Sequence, residues 1–97
     1  MNDDSGSTRY QIPDGVVTQS IGNELVVLNN TTETYFSLDG SGAFMFEAFT
    51  SGEDLDRVVA LVCSSFEGAD ETTVRADAVE LLAALRDKQL LVPRNGQ

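Results

Sequence analysis

Two stretches of this sequence decide its fold: ELVVLN at residues 24–29 and TYFSL at residues 34–38. The first is an apolar run with polar ends that is too short for a helix of ordinary length, which favours a buried strand. In the second, Phe36 and Leu38 share one face because successive side chains of a strand alternate. The residues between them, NTTE, are typical of a turn, so the two strands are neighbours.

A third strand is expected before this pair, over residues 16–21 (VVTQSI), which are mostly β-favouring. Turn signals lie on both sides of it, PDG at residues 13–15 and GN at residues 22–23. Three strands joined by such short connections predict an antiparallel meander.

After the last strand, apolar residues recur at helical spacing. A first helix is expected over residues 42–49, with Ser41 as its cap. A second helix follows the cap Asp54, and a third follows either Asp70 or Thr72. The second and third helices each carry one apolar stripe, which predicts that each buries a single face.

Strands grouped before helices predict an α+β fold, with a three-stranded antiparallel sheet followed by three helices, similar to a winged helix-turn-helix. The 97 residues suffice for one domain, which we expect over residues 13–93. We expect a disordered N-terminal tail over residues 1–12 and a short polar tail over residues 94–97, because these ends offer little apolar surface to bury.

Composition excludes several function classes. The chain has no His, so it lacks a His-based catalytic triad and an imidazole metal ligand. A single cysteine, Cys63, excludes an internal disulfide and paired-Cys metal motifs. The acidic pairs at residues 53–54 and 70–71 lie where helix starts favour negative charge, so we assign no catalytic residues and no metal site.

The net charge of −10 argues against nucleic acid and against an anionic membrane surface as partners, because both carry negative charge. No apolar run is long enough to span a bilayer, and the polar, acidic start does not resemble a secretion signal. We therefore expect a cytoplasmic protein.

The aromatic residues and one strand edge are the features that can serve binding. Phe36, Phe44 and Phe49 are expected in the core, whereas Tyr35 and Phe46 fall on opposite faces and offer spare apolar surface. If residues 34–38 form a sheet edge, an extended peptide can add to it as a further strand. The alternative is that a helix or loop shields this edge.

The ordered set of motifs resembles PqqD-like proteins, from Pro13 to Val92. The run LN followed by TYFSLDGSGA at residues 34–43 fits the family pattern of a strand that opens into a helix. RADA at residues 75–78 and the closing LLV fit the later parts of that pattern. One departure is Gln89, where such sequences often have Gly before the final apolar pair.

The resemblance implies a RiPP recognition element: a small, non-catalytic, winged-helix-like domain that binds the leader of a ribosomally synthesised peptide precursor, without a cofactor. The leader pairs with the third strand, in a groove against the third helix. The domain serves a maturation enzyme, which is a leader peptidase in lasso peptide assembly or a radical-SAM maturase. Carried over by position, the peptide-binding residues are Thr34, Tyr35, Phe36, Ser37, Leu38, Arg75, Asp77, Ala78 and Leu81.

The alternative function is a winged-helix DNA-binding regulator, with the third helix as the reader. The charges of that helix oppose it, because its basic residues are offset by the acidic residues Asp77, Glu80 and Asp87. A small enzyme that uses only Asp or Glu is a third class, but no positioned carboxylate pair indicates it. We expect a monomer or a weak dimer, since an open strand edge can pair two copies.

Overall fold

A three-stranded sheet leads into three helices in the computed structural model, which describes residues 7–94. The elements in chain order are β1 (Tyr10–Gln11), β2 (Val16–Ile21), β3 (Glu24–Asn29), β4 (Thr34–Asp39), α1 (Gly40–Thr50), α2 (Leu55–Ser65), α3 (Glu71–Asp87) and β5 (Val92–Pro93). The larger sheet is antiparallel in the order β2-β3-β4, and β1 pairs with β5 in a separate ribbon. The predicted α+β, winged helix-turn-helix-like fold is confirmed, and its third strand is β4.

The larger sheet buries one face because its side chains alternate. Val27 in the central strand is fully buried, and its inward-facing neighbours Leu25 and Leu38 are 7% exposed. In β2, Val16 is half-buried and the other five residues are exposed, because this strand extends beyond the core.

The helices complete the core with one apolar face each. Phe49 of α1, Val58 of α2 and Leu85 of α3 are all fully buried. Helix α1 is central and touches both other helices, β1, β3 and β4. For that reason Phe46 is only 1% exposed, and the prediction that it offers spare apolar surface is wrong.

Local sequence sets where the helices begin. The carboxylate of Asp54 accepts from the Arg57 amide at 2.9 Å and caps α2, as predicted. Of the two candidates for α3, the cap is Asp70, whose carboxylate accepts from the Thr73 amide at 3.0 Å. Ser41 is not a cap, because α1 begins one residue earlier, directly at the end of β4.

The folded part of the chain is longer than the predicted 13–93. Tyr10, in β1, is 1% exposed and packs edge-on against Phe49 with ring centroids 5.8 Å apart. The Arg94 amide donates to the Arg9 carbonyl at 2.9 Å, which continues the ribbon of β1 and β5. Two predictions are therefore wrong within the described residues. The N-terminal tail does not extend to residue 12, and the C-terminal tail does not begin at Arg94. Residues 1–6 and 95–97 lie outside the described part.

Candidate functional site

The strand β4 is an edge of the sheet within residues 7–94, because β3 is its only neighbour there. The register identifies the main-chain groups that the edge presents. The Asn30 amide donates to the Gly15 carbonyl at 2.8 Å, which places the hydrogen-bonding groups of Leu28 and Val26 on the β2 side. The alternate residues of β3 then bond to β4.

The residues of β4 therefore form two alternating sets, which differ in the direction of their main-chain hydrogen-bonding groups. Thr34, Phe36 and Leu38 lie opposite the residues of β3 whose main-chain groups point toward β4. The amides and carbonyls of Tyr35, Ser37 and Asp39 therefore point away from the sheet. This outward row is what an added strand would pair with.

The C-terminal end of α3 is fastened beside this edge. The Thr34 hydroxyl donates to the Lys88 carbonyl at 3.3 Å, and the Lys88 ammonium lies 6.0 Å from the Phe36 ring centroid. The side-chain amide of Asn29, a buried residue, donates to the Gln89 carbonyl at 2.8 Å. These contacts join the end of the helix to the start of β4.

Asn29 also shapes the turn between β3 and β4. Its side-chain oxygen accepts from the amides of Thr31 and Thr32 at 2.8 and 3.1 Å. One buried side chain thus fixes both the turn and the end of α3.

Helical spacing identifies the α3 residues that share a flank with Lys88. Ala84, Leu81 and Asp77 precede Lys88 by four, seven and eleven residues, so they share its side of the helix. Leu81 and Ala84 are half-buried and Asp77 is exposed. We call β4, these three α3 residues and Lys88, which follows the helix, the β4–α3 cleft. Leu81 and Ala84 are its apolar helix members, and Lys88 and Asp77 carry one charge of each sign.

The structure brings some of the predicted helix residues to this cleft and places others elsewhere. Asp77 and Leu81 line it. Ala78 is fully buried in the core and presents no surface. Arg75 lies on the opposite flank, where it donates to the Asp56 carboxylate at 2.8 Å.

Arg75 thus links α3 to α2 and is not near β4. Its guanidinium also lies 3.5 Å from the Glu71 carboxylate. The hydrogen bond to Asp56, more than the contact with Glu71, raises the pKa of Arg75 above its ordinary value. The prediction that Arg75 lines the groove is therefore corrected, because its guanidinium is held by Asp56 of α2.

Sequence reasoning missed Lys88 and Ala84. The signal for Lys88 was present, because it lies eleven residues after Asp77 and therefore on the same helix edge. Choosing between the two edges of the helix required knowing which of them faces the sheet.

The strand residues lie as their alternation predicts. Phe36 is half-buried and packs against the core, whereas the Tyr35 side chain is 65% exposed on the other face of the sheet. The Ser37 hydroxyl donates to the Glu24 carboxylate at 2.8 Å on that same outer face.

Between residues 7 and 94, no group of three or more Cys, Asp or Glu side chains is placed to hold a metal ion. Over the same residues, no helix is long and apolar enough to cross a membrane. Cys63 is a free, half-buried thiol on α2.

Comparison with protein families matches residues 24–91 to the family described as "Coenzyme PQQ synthesis protein D (PqqD)". Comparison with the curated proteins finds no matching sequence. One similar solved structure, described as "TbiB1 in Complex with the TbiA(beta) Leader Peptide", is 33% identical with a TM-score of 0.76. The match covers 90% of this chain and 96% of that one.

A second solved structure, described as "Lasso peptide synthetase B1 complexed with the leader peptide", has a TM-score of 0.78. It is 16% identical and covers 88% of this chain and 99% of that one. At that identity the likeness concerns the fold.

Proposed function

Because the chain belongs to the PqqD family, we propose that it binds the leader segment of a ribosomally synthesised peptide precursor and presents the precursor to a maturation enzyme. It acts by recognition and catalyses no step itself. The observation that carries this proposal is the outward row of main-chain groups on β4, which lies beside a half-buried flank of α3. The relative at 33% identity, described as a complex with a leader peptide, supports the same function.

The leader binds as a fourth strand. Its amides and carbonyls pair with the outward groups of Tyr35, Ser37 and Asp39. Each such bond contributes about 0.5–1.5 kcal/mol net, since water is displaced from both partners. Backbone pairing supplies affinity for any extended chain and leaves the choice of chain to the side chains.

The β4–α3 cleft makes that choice. Every second side chain of the added strand faces the same side of the sheet as Phe36, and it meets the half-buried Leu81 and Ala84. An apolar leader side chain fits there as an anchor. Lys88 and Asp77 flank the anchor with one charge of each sign, so they favour a leader with a complementary acid or base beside it.

The partner enzyme is a leader peptidase or a radical-SAM maturase, the two classes that domains resembling this one serve. In either case the enzyme needs the precursor held at one end while its own site works on the other. We place this step in the cytoplasm, where ribosomes supply the precursor.

The DNA-binding alternative gains no support from the comparisons. Helix α3 carries four carboxylates and two guanidinium groups, and one of these, on Arg75, is already paired with Asp56. A reading helix of that charge would be repelled by phosphates. A gel shift at low salt provides the direct check, and robust binding there would favour the regulator.

The decisive experiment is an NMR titration of the ¹⁵N-labelled protein with the synthetic leader of its precursor. The amides of Tyr35, Ser37 and Asp39 are expected to shift and to gain protection from hydrogen exchange. Those of Phe36 and Leu38, already bonded to β3, are expected to gain little protection. The amides of β2, the other edge, provide the internal control. Unshifted outward amides of β4 at saturating leader would rule out strand addition.

A further inference from the structure

The face of the sheet turned away from the helices carries a row of apolar side chains that the leader site does not use. The register aligns Val17, Leu28 and Tyr35 across the three strands, and Val26 and Ile21 continue the row along the sheet. We call these five residues the outer apolar face. Since strand side chains alternate, all five lie opposite the core.

Three of the five side chains of this face are exposed, and Val26 and Leu28 are half-buried. Val17 is 50% exposed, Ile21 57% and Tyr35 65%. These are three of the five large apolar side chains that are exposed within residues 7–94. Contiguous apolar surface of this kind marks a binding surface in a soluble protein.

Charge argues against a second copy of the chain as the occupant. The chain has a net charge of −10, and the carboxylates of Glu24 and Asp39 lie side by side across β3 and β4, at one end of the face. Two copies packed face to face would bring these acidic ends and the whole negative field together. A partner with an apolar patch flanked by Lys or Arg complements the same surface.

The position of the outer apolar face beside the leader site indicates which partner binds it. The outer apolar face is continuous with the β4 edge, because Tyr35 belongs to both. A leader strand added to β4 turns every second side chain into the cleft and the others onto the outer face. A partner that covers the outer face as far as Tyr35 therefore also touches the bound leader.

We propose that the outer apolar face is the docking surface for the maturation enzyme, which meets it with an apolar patch flanked by basic side chains. This inference rests on the proposed function, since it requires a leader on β4. The two partners then use opposite faces of one sheet, so that the enzyme can engage the carrier without displacing the leader.

The test compares two valines of nearly equal exposure, Val17 on the outer apolar face and Val79 on α3, which is 48% exposed. Val17→Lys and Val79→Lys add the same charge to the surface, and an edge strand tolerates Lys. The probe is the purified leader peptidase or radical-SAM maturase of the same pathway. Its affinity for the leader-loaded protein is measured by calorimetry, and leader affinity is measured separately by fluorescence anisotropy.

We expect Val17→Lys to weaken enzyme binding by about tenfold or more and to leave leader binding unchanged, whereas Val79→Lys changes neither. Ile21→Lys repeats the test at the end of the same face if Val17→Lys does not fold, as judged by circular dichroism. Unchanged enzyme affinity in the folded variant overturns the inference. So does a wild-type dimer that Val17→Lys dissociates, because the face would then belong to a second copy. Failure of the wild type to bind the leader would instead refute the proposed function.

Discussion

The two edges of the larger sheet are equal in length and both pair with the same central strand, yet we propose only one of them as the recognition edge. The β2 edge is exposed along almost its whole length. The β4 edge alternates between exposed and buried positions, and the end of α3 is hydrogen-bonded beside it. Both edges present unpaired amides and carbonyls, so the main chain alone cannot favour one of them. The adjoining side-chain surface makes the difference.

This comparison explains why α3 must be held in place. Asn29 joins the turn that starts β4 to the end of α3, and β2 has no counterpart of this link among the described contacts. Under the proposed function, the selectivity of the β4 edge therefore depends on a buried polar residue that is not part of the β4–α3 cleft.

The largest effect is expected from removing that link. Asn29→Ala removes a side chain that is 3% exposed and that bonds to two turn amides and to the Gln89 carbonyl. Losing three hydrogen bonds, each worth about 0.5–1.5 kcal/mol net, is expected to lower the free energy of unfolding by about 2–3 kcal/mol. Urea denaturation measures this loss, and leader affinity is expected to fall with it as α3 moves relative to β4.

The matched control is Asn23→Ala, in the turn between β2 and β3, where the asparagine is exposed. It is expected to change stability by less than about 0.5 kcal/mol. Equal losses of stability from the two variants would show that Asn29 holds the turn before β4 no more firmly than Asn23 holds the turn after β2.

Blocking one outward amide on each edge gives the next largest effect. Ser37→Pro removes an N–H that points away from β3, a position where an edge strand accepts proline. We expect leader affinity to fall by about tenfold, from the lost hydrogen bond and the ring that replaces it. Ser20→Pro does the same on β2, where the register also turns the amide outward, and should leave leader affinity unchanged. Fluorescence anisotropy with a labelled leader measures both, and an equal effect from both would place the leader outside the β4 edge.

Much of the fold could be predicted from alternation and helical spacing, because both are local properties. The pairing of β3 with β4, the helix caps Asp54 and Asp70, and the exposed Tyr35 all follow from residues near them in the chain. Tyr10 could not be predicted in this way. It is one apolar residue in a polar segment, and it is buried because the distant β5 pairs with it.

The candidate site likewise has one part that local sequence predicts and another that depends on distant contacts. The strand residues were predictable in register, since β4 is a single short element. On α3 the sequence defines two equivalent flanks, one with Arg75 and one with Lys88. Only the contacts of Lys88 with Thr34 and Phe36 show which flank faces the sheet.

The smallest expected effect concerns Gln89, at the end of α3 beside the β4 edge. The Leu90 amide donates to the Leu85 carbonyl at 2.8 Å and the Gln89 amide to the Arg86 carbonyl at 3.0 Å, which is the Schellman arrangement that ends a helix. This arrangement needs a left-handed residue, and Gln89 adopts a φ of 59°. A residue with a Cβ in this conformation costs about 1–2 kcal/mol relative to one in the right-handed region.

Gln89→Gly is therefore expected to stabilise the protein by about 0.5–1 kcal/mol, after the greater flexibility of glycine in the unfolded chain is subtracted. The melting temperature should rise by about 2–8 °C in a calorimetric scan. Lys88→Gly is the control, because that residue has an ordinary φ of −88° and should lose stability. Since the Gln89 carbonyl still accepts from Asn29 in the variant, leader affinity should hold or improve slightly. A lower melting temperature for Gln89→Gly would mean that the glutamine side chain itself supports the end of α3 beside β4.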